Sequence, residues 1–250
     1  MIDVHCHLEQ KDYNSDRDEV IKRCKKKMDA VVTSCAHPRD FDLTLSLKKQ
    51  HPCFIYICIG LHPEYIKELK PKDKQQLIQK IKDNQKDISA IGEIGLDYFW
   101  TKEEEFREKQ KQMFKEFISL AKELEKPIVI HSRDAHEDTL DILEQSKAKQ
   151  VLLHLWGANQ QVPRIIKNNY NISFGPILLR SKKHKKICRD MPLDKIMLET
   201  DAPWFGENRQ RNEPTSVEKV IVRIAQIKNL DAEEVDKATT KNARKFFNIK

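Results

Sequence analysis

The chain has 250 residues and a formal net charge of +7, and 34% of its residues are charged while 39% are hydrophobic. This composition is typical of a folded protein with a heavily solvated surface and excludes a disordered chain. The longest apolar run, Cys53 to Leu61, is far shorter than the roughly 20 residues that a membrane span requires, and no basic segment followed by an apolar stretch suggests a secretory signal.

Short β-type runs alternate with amphipathic segments along the chain. The predicted strands are Ile2 to His7, Ala30 to Cys35, Phe54 to Gly60, Ile88 to Ile94, Ile128 to His131, Val151 to Leu155, Asn171 to Phe174 and Lys195 to Glu199. Strands that alternate with helices indicate a parallel sheet, and eight such units at this length favour closure into an α/β fold of the (β/α)8 TIM-barrel type. We expect residues 1–250 to form one such domain.

Helix starts are predicted where Ser, Thr or Asp stands three residues before an acidic residue and an apolar face follows. These signals are Ser15-x-x-Asp18, Thr101-x-x-Glu104, Thr215-x-x-Glu218 and Asp231-x-x-Glu234. The last two predict closing helices after the eighth strand. No glycine-rich nucleotide-binding motif follows a predicted strand, which disfavours an open nucleotide-binding sheet.

The first predicted strand carries His5 and His7 on one face, because alternate side chains of a strand point to the same side. Two converging imidazoles are common ligands of zinc or a similar ion. An isolated pair is about as often a pair of buried, hydrogen-bonded histidines without a metal. In TIM barrels the active site lies at the C-terminal ends of the strands. Those ends supply four further candidate ligands, namely Glu93, His131, His154 and Asp201.

Four histidines and two carboxylates suit two divalent metal ions that share a bridging carboxylate. Two such ions can activate a water molecule as hydroxide and stabilise the attacking and leaving oxygens, so the expected chemistry is hydrolysis. Glu93 is the expected bridge, because Gly92 and Gly95 allow the backbone to approach a crowded site. Asp201 would ligate one ion and orient or deprotonate the nucleophile. Zinc, manganese, cobalt or magnesium would fit this ligand set.

Several motifs occur in order along the chain: His5-Cys6-His7-Leu8, Gly60-Leu61-His62-Pro63, Ile91 to Tyr98, His131 to Ala135, Leu198 to Pro203, Arg211 to Pro214 and Asn242 to Phe247. In this combination the chain resembles the TatD family of metal-dependent deoxyribonucleases. The resemblance implies an amidohydrolase-type barrel with one metal held by His5, His7, Glu93 and Asp201, and a second held by Glu93, His131 and His154. It also implies hydrolysis of DNA phosphodiester bonds, typically from the 3′ end.

The chain departs from the usual pattern of that family in two places. Glu9 stands where the family usually has Asp, and His154-Leu155-Trp156-Gly157-Ala158 stands where it usually has His-Cys-Phe-Ser-Gly. The histidine is retained, but Trp156 is larger and Ala158 lacks a hydroxyl, so the substrate wall is expected to differ. No lysine lies between Asp87 and Lys102, which argues against relatives that bridge their metals with a carbamylated lysine.

Two loops after predicted strands carry candidates for contact with a phosphate. His62 would contact the scissile phosphate or the leaving group, and the alternative is a structural role in its loop. Arg133 would pair with a phosphate while Asp134 orients a ligating imidazole, and the alternative is a buried Arg-Asp pair.

Tyr98, Trp156 and Trp204 follow predicted strands and would stack on unpaired bases, although each alone could be packing or a lid. The basic run Arg180 to Lys186 is either a solvated helix face or a stripe that steers DNA. The role of Glu199 is left open.

The sequence thus predicts a cytoplasmic 3′–5′ exonuclease with two metal ions and no membrane partner, acting on single-stranded or frayed DNA. A monomer is favoured, although the sequence does not determine the oligomeric state. One alternative keeps the metals but hydrolyses the ester of a D-aminoacyl-tRNA. Another is a non-catalytic barrel that binds nucleic acid and uses metal only for stability.

Overall fold

The structure of the protein is a computed structural model that describes residues 1–250, with the side chain of Arg209 outside the description. Over these residues, eight parallel strands form one sheet in chain order. They are β1 (Ile2–Cys6), β2 (Ala30–Cys35), β3 (Ile55–Ile59), β4 (Ile88–Asp97), β5 (Ile128–Arg133), β6 (Val151–Leu153), β7 (Asn171–Phe174) and β8 (Ile196–Leu198). Each strand pairs with the next along the chain, as expected of a TIM barrel, and the predicted fold is confirmed.

Helices connect the strands on the outside of the barrel. They are α1 (Arg17–Lys25), α2 (Phe41–Gln50), α3 (Pro71–Asp83), α4 (Glu104–Glu123), α5 (His136–Gln145), α6 (Val162–Lys167), α7 (Lys182–Asp190), α8 (Val217–Lys228) and α9 (Ala232–Phe247). In the described part of the chain, no helix is both long enough and apolar enough to span a membrane.

The ring closes between β1 and the residues that follow β8. The backbone N–H of His7 donates to the carbonyl of Ala202 at 2.7 Å, and the N–H of Asp201 donates to the carbonyl of His5 at 2.9 Å. The buried carboxylate of Asp3 accepts both the hydroxyl and the N–H of Thr200, at 2.5 and 3.1 Å. Barrel closure therefore brings the first and last strand motifs of the sequence together.

The predicted helices are present, and Asp231 is the N-cap of α9 as predicted, but the N-caps of α1, α4 and α8 are Asp16, Glu103 and Ser216 rather than the predicted residues. At the starts of α1, α4, α8 and α9, the described N-cap residues accept no hydrogen bond through their side chains. The hydroxyl of Thr101 instead accepts a hydrogen bond from Gln110 Nε2 at 2.9 Å, because Glu103 is the N-cap of α4. Tertiary contacts thus replace the local cap that the sequence predicts.

Strand β4 extends three residues beyond the predicted end at Ile94 and pairs with β5 as far as Asp97, opposite Arg133. Gly95 lies opposite His131 in this pair, with φ at +143°. A Cβ atom at residue 95 would overlap the carbonyl oxygen of His131. A glycine is therefore required where β4 passes closest to β5.

We expect Gly95→Ala to lower the free energy of unfolding by about 3 kcal/mol or more, because it combines backbone strain with a steric clash. Urea denaturation measures the change. The matched control is Gly157→Ala, whose Cβ would meet the flexible end of Lys183 at 3.2 Å and His136 at an ordinary contact distance of 3.6 Å. Equal stability of the two variants would contradict this account of Gly95.

Candidate metal centre

Six predicted ligands converge at the C-terminal mouth of the barrel. They come from β1, β4 and β5 and from the loops after β1, β6 and β8, and they are His5, His7, Glu93, His131, His154 and Asp201. His131 is half-buried and the others are buried. The other five lie around the carboxylate of Glu93.

One oxygen of Glu93 faces the residues from the junction of β1 and β8. Glu93 Oε2 lies 3.4 Å from His5 Nε2 and 4.0 Å from His7 Nε2. Asp201 Oδ1 lies 3.6 and 3.2 Å from the same two nitrogens. These four side chains form the first ligand group.

The other oxygen of Glu93 faces the histidines of the opposite wall. Glu93 Oε1 lies 2.9 Å from His131 Nδ1 and 3.0 Å from His154 Nε2, and these two nitrogens are 3.4 Å apart. This is the second ligand group. A carboxylate that offers one oxygen to each of two groups has the arrangement that a bridging ligand requires.

The donor atoms fit divalent metal ions. Within the described residues, ligand atoms of His5, His7 and Glu93 all lie within 4.8 Å of one another, as do those of His5, His154 and Asp201. His5 Nε2 is buried and has no hydrogen-bond partner, although its ring faces two carboxylates. A buried nitrogen lone pair without a partner is costly, and coordination to a metal would satisfy it.

Carboxylates also contact the far nitrogens of three histidines. The pairs are His7 Nδ1 with Glu9 at 3.2 Å, His131 Nε2 with Asp97 at 2.9 Å, and His154 Nδ1 with Glu199 at 3.3 Å. The first two pairs are hydrogen-bonded, whereas His154 Nδ1 has no partner in hydrogen-bond geometry, so the proton of a neutral His7 or His131 ring belongs on the far nitrogen. The nitrogen that faces Glu93 then carries the lone pair that a metal needs.

The charges of the centre are strongly coupled. Burial lowers the pKa of an imidazole, but the neighbouring carboxylates outweigh it and raise the pKa values of His7, His131 and His154. Burial raises the pKa of Glu93, but the surrounding histidines lower it well below its usual value. The centre thus keeps its carboxylates anionic, and divalent cations would take the place of the imidazole protons.

His62 also lies in this centre, but its hydrogen bonding differs from that of the six candidate ligands. Its Nε2 is 3.6 Å from Glu93 Oε1, while its Nδ1 accepts a hydrogen bond from the N–H of Glu64 at 3.2 Å. Burial, with the nearby His131, lowers the pKa of His62 to about 3, so the ring is neutral at neutral pH. Its single proton is then on Nε2, and His62 offers a hydrogen-bond donor to the centre.

The structure contradicts the prediction that Trp156 stacks on a base. Trp156 is fully buried, its Nε1 donates to the carbonyl of Ala158 at 3.0 Å, and its ring packs against His136. The loop after β6 turns inward at Leu155, which has φ at +43° and donates its N–H to Glu199. This turn places the indole in the core, so Trp156 does not line the mouth.

The prediction for Asp134 is also wrong. Asp134 and Arg133 are exposed, and Asp97 is the aspartate that contacts His131. Arg133 is stacked on Phe99, with its guanidinium carbon 3.7 Å from the ring centroid, so the alternative of a buried Arg-Asp pair is wrong as well.

The two remaining candidates for base stacking differ in exposure. Trp204 is 46% exposed, and its ring centroid lies 4.8 Å from that of His7. Tyr98 is half-buried, and its hydroxyl donates to Asp138 at 2.6 Å. Trp204 therefore presents a free face beside the ligands, whereas Tyr98 is held within the wall.

The basic run Arg180 to Lys186 forms the start of α7. His184 is buried in the helix interface, whereas Lys182, Lys183 and Lys186 are exposed. Lys183 Nζ lies 3.2 Å from the position of a Cβ on Gly157, in the loop that follows His154. The exposed lysines thus form a solvated helix face, and Lys183 lies beside the loop that carries Gly157.

Sequence reasoning missed Asp97 and gave no role to Glu9 and Glu199. A signal for Asp97 exists, because residues 93, 95 and 97 share one face of a strand. Because the predicted strand ends at Ile94, residue 97 lies outside it and its shared face with Glu93 is not predicted. Glu199 accepts hydrogen bonds from Ser173 and Leu155, so its carboxylate is fixed in place beside His154.

A TIM barrel whose strand ends present buried histidines around a shared carboxylate belongs with the metal-dependent hydrolases. A family model described as TatD related DNase matches residues 2–248. Two similar relatives are the human protein named deoxyribonuclease TATDN3, 35% identical over 99% of this chain and 94% of that protein, and an uncharacterized metal-dependent hydrolase of Methanocaldococcus jannaschii, 37% identical over 98% and 96%. The chain belongs to the TatD family of metal-dependent hydrolases, which confirms the resemblance.

A solved structure supports the same assignment. The crystal structure of YJJV, a TatD homologue from Escherichia coli K12, is 26% identical to this chain and aligns with a TM-score of 0.92. The alignment covers 100% of this chain and 98% of that one.

We expect Glu9→Gln to weaken metal binding by about 10-fold to 100-fold, because the amide no longer fixes the tautomer of His7. Glu9 also accepts the hydroxyl of Thr33 at 2.7 Å, so its carboxylate is held in position. Competition with a chromogenic chelator measures the affinity. Glu64→Gln, which removes an exposed carboxylate beside His62, is the matched control, and identical affinities would exclude a positioning role for Glu9.

Proposed function

We propose that this protein is a metal-dependent deoxyribonuclease that removes nucleotides from the 3′ end of single-stranded or frayed DNA. The observation that carries the proposal is the carboxylate of Glu93, whose two oxygens face two separate groups of histidines. Membership of a family described as TatD related DNase supports DNA as the substrate.

Two divalent ions are proposed as cofactors. His5, His7, Glu93 and Asp201 would hold one ion, and Glu93, His131 and His154 would hold the other. Nitrogen and carboxylate donors suit zinc and manganese, and magnesium would also be accepted. When bound, a pair of divalent ions lowers the pKa of water and stabilises charge on the attacking and leaving oxygens of a phosphodiester.

The protein's own groups would orient the substrate and handle its protons. Burial raises the pKa of Asp201, but the hydrogen bond from His7 and the other histidines lower it below its usual value. Asp201 would therefore be anionic and could accept the proton of the attacking water. His62 would donate its Nε2–H to a phosphate oxygen or to the leaving oxygen. Asp97, Glu199 and Glu9 would hold the ligating rings in place.

The aminoacyl-ester alternative depended on a changed substrate wall at Trp156 and Ala158. Both side chains are buried, so neither lines the mouth. The family description as TatD related DNase favours DNA over that ester as the substrate.

The proposal predicts degradation of a 5′-labelled single-stranded oligonucleotide from its 3′ end once metal-free protein is given Mg²⁺, Mn²⁺ or Zn²⁺. His131→Ala should reduce the rate by about 100-fold or more, because loss of a metal ligand removes several kcal/mol of transition-state stabilisation. His51→Ala, in the loop before β3, is the matched histidine control. Absence of degradation with every metal would reject the nuclease.

Lys183 should contribute to DNA binding, because its Nζ lies beside Gly157 in the loop after His154. Lys183→Gln should lower the slope of log affinity against log salt by about 0.7 for single-stranded DNA, as expected for one lost phosphate contact. Lys186→Gln should leave the slope unchanged. Fluorescence anisotropy in an Asp201→Asn background measures binding without cleavage, and equal slopes for both variants would contradict the placement.

A further inference from the structure

Exposed aromatic side chains are concentrated at the mouth of the barrel. Among the described side chains, the exposed large aromatics are Phe99, Trp100, Trp204 and Phe205, of which Trp100 has the largest exposed fraction, 56%. Phe99 and Trp100 directly follow β4, and Trp204 and Phe205 follow β8. Burial of large aromatic surface is favourable, so an exposed group of aromatic side chains at one end of a barrel indicates a binding surface.

The guanidinium group of Arg133 lies close to the rings of both Phe99 and Trp100. The guanidinium carbon of Arg133 lies 3.7 Å from the centroid of Phe99 and 5.6 Å from that of Trp100. In the described set of contacts, the side chain of Arg133 makes no hydrogen bond or ion pair, so its N–H groups are available to an anion. We call Phe99, Trp100 and Arg133 the aromatic platform.

The aromatic platform is tied to the metal centre by one carboxylate. Asp97 Oδ1 accepts the N–H groups of Phe99 and Trp100, each at 2.9 Å, while Asp97 Oδ2 contacts His131 Nε2 at 2.9 Å. The N–H of Tyr98 also donates to the carbonyl of Arg133 at 2.9 Å. The backbone that carries the platform is therefore held in place relative to His131.

The geometry points to a base-stacking role: we propose that the aromatic platform stacks an unpaired base next to the scissile phosphodiester while Arg133 contacts a neighbouring phosphate. This inference rests on the proposed deoxyribonuclease and names the feature that selects its substrate. Base stacking on aromatic side chains is tolerant of sequence, because every base has a π face. Bases inside a duplex are already stacked, so the platform favours single-stranded ends over blunt duplex ends.

Trp204 supports this placement from the other side of the centre. Strands β4 and β8 are four positions apart in the strand order, so they lie on opposite sides of an eight-stranded ring. A single strand that crosses the metal centre would meet aromatic surface on both sides. Such a strand exposes its bases and its phosphates to the mouth at the same time.

The test compares kcat and KM for single-stranded and blunt duplex DNA of the same sequence, using the metal-loaded protein. Trp100→Ala should raise KM for the single strand by about 10-fold to 100-fold, the usual range for one lost stacking partner, and should reduce the preference for single strands. Trp100→Phe should recover much of that loss. Val222→Ala, which removes an exposed apolar side chain from α8, is the matched control.

A second variant tests the cation independently. In an Asp201→Asn background, Arg133→Gln should lower the salt slope of single-strand binding by about 0.7, whereas Arg133→Lys should retain the slope but lose affinity through the missing stack. Retention of the slope by Arg133→Gln would overturn the phosphate contact.

The outcomes separate this inference from the function on which it rests. If the wild type degrades DNA and Trp100→Ala keeps the same KM and the same preference for single strands, the platform is overturned and the deoxyribonuclease stands. If the wild type degrades no DNA, both are overturned. Loss of the preference in Trp100→Ala with recovery in Trp100→Phe supports the platform.

Discussion

The carboxylate of Glu93 couples the charges on opposite walls of the barrel mouth, because each of its two oxygens faces histidines of a different wall. One oxygen faces the histidines of the first strand motif, and the other faces His131 and His154. This position demands that β4 run close to both neighbouring strands, which its glycines allow. A Cβ at Gly60, just after β3, would likewise overlap the backbone at Gly92. The site therefore depends on backbone packing as much as on its ligand side chains.

The centre is acidic although the protein is basic. The formal charge of the chain is +7, yet the carboxylates of Glu9, Glu93, Asp97 and Glu199 are all buried around a few histidines. Burial of so much negative charge is costly unless cations or protons accompany it. The mouth thus combines an interior that favours divalent cations with a rim that carries exposed cations such as Lys183 and Arg133. These opposite signs are consistent with the proposed polyanionic substrate and the proposed metal ions.

Much of the fold could be predicted because its signal is local. The alternation of strands and helices is visible in the sequence, and β2 and β7 begin and end at the predicted residues. The convergence of the ligand residues also follows from topology, because parallel strands in a barrel end at the same mouth. The burial of Trp156 could not be predicted in this way, since the path of the loop after His154 is set by the backbone turn at Leu155 and the hydrogen bond to Glu199. Asp97 was missed because the extension of β4 depends on its pairing with β5.

Closure between β1 and the segment after β8 also affects how the protein is made. The first ligand group takes His5 and His7 from the beginning of the chain and Asp201 from residues that are synthesised last among the strand motifs. The carboxylate of Asp3 finds its hydrogen-bond donors on Thr200, at the same late position. A growing or truncated chain that stops before β8 possesses most of the ligands but cannot assemble this group. The first ligand group can therefore form only after the residues up to Asp201 have been synthesised.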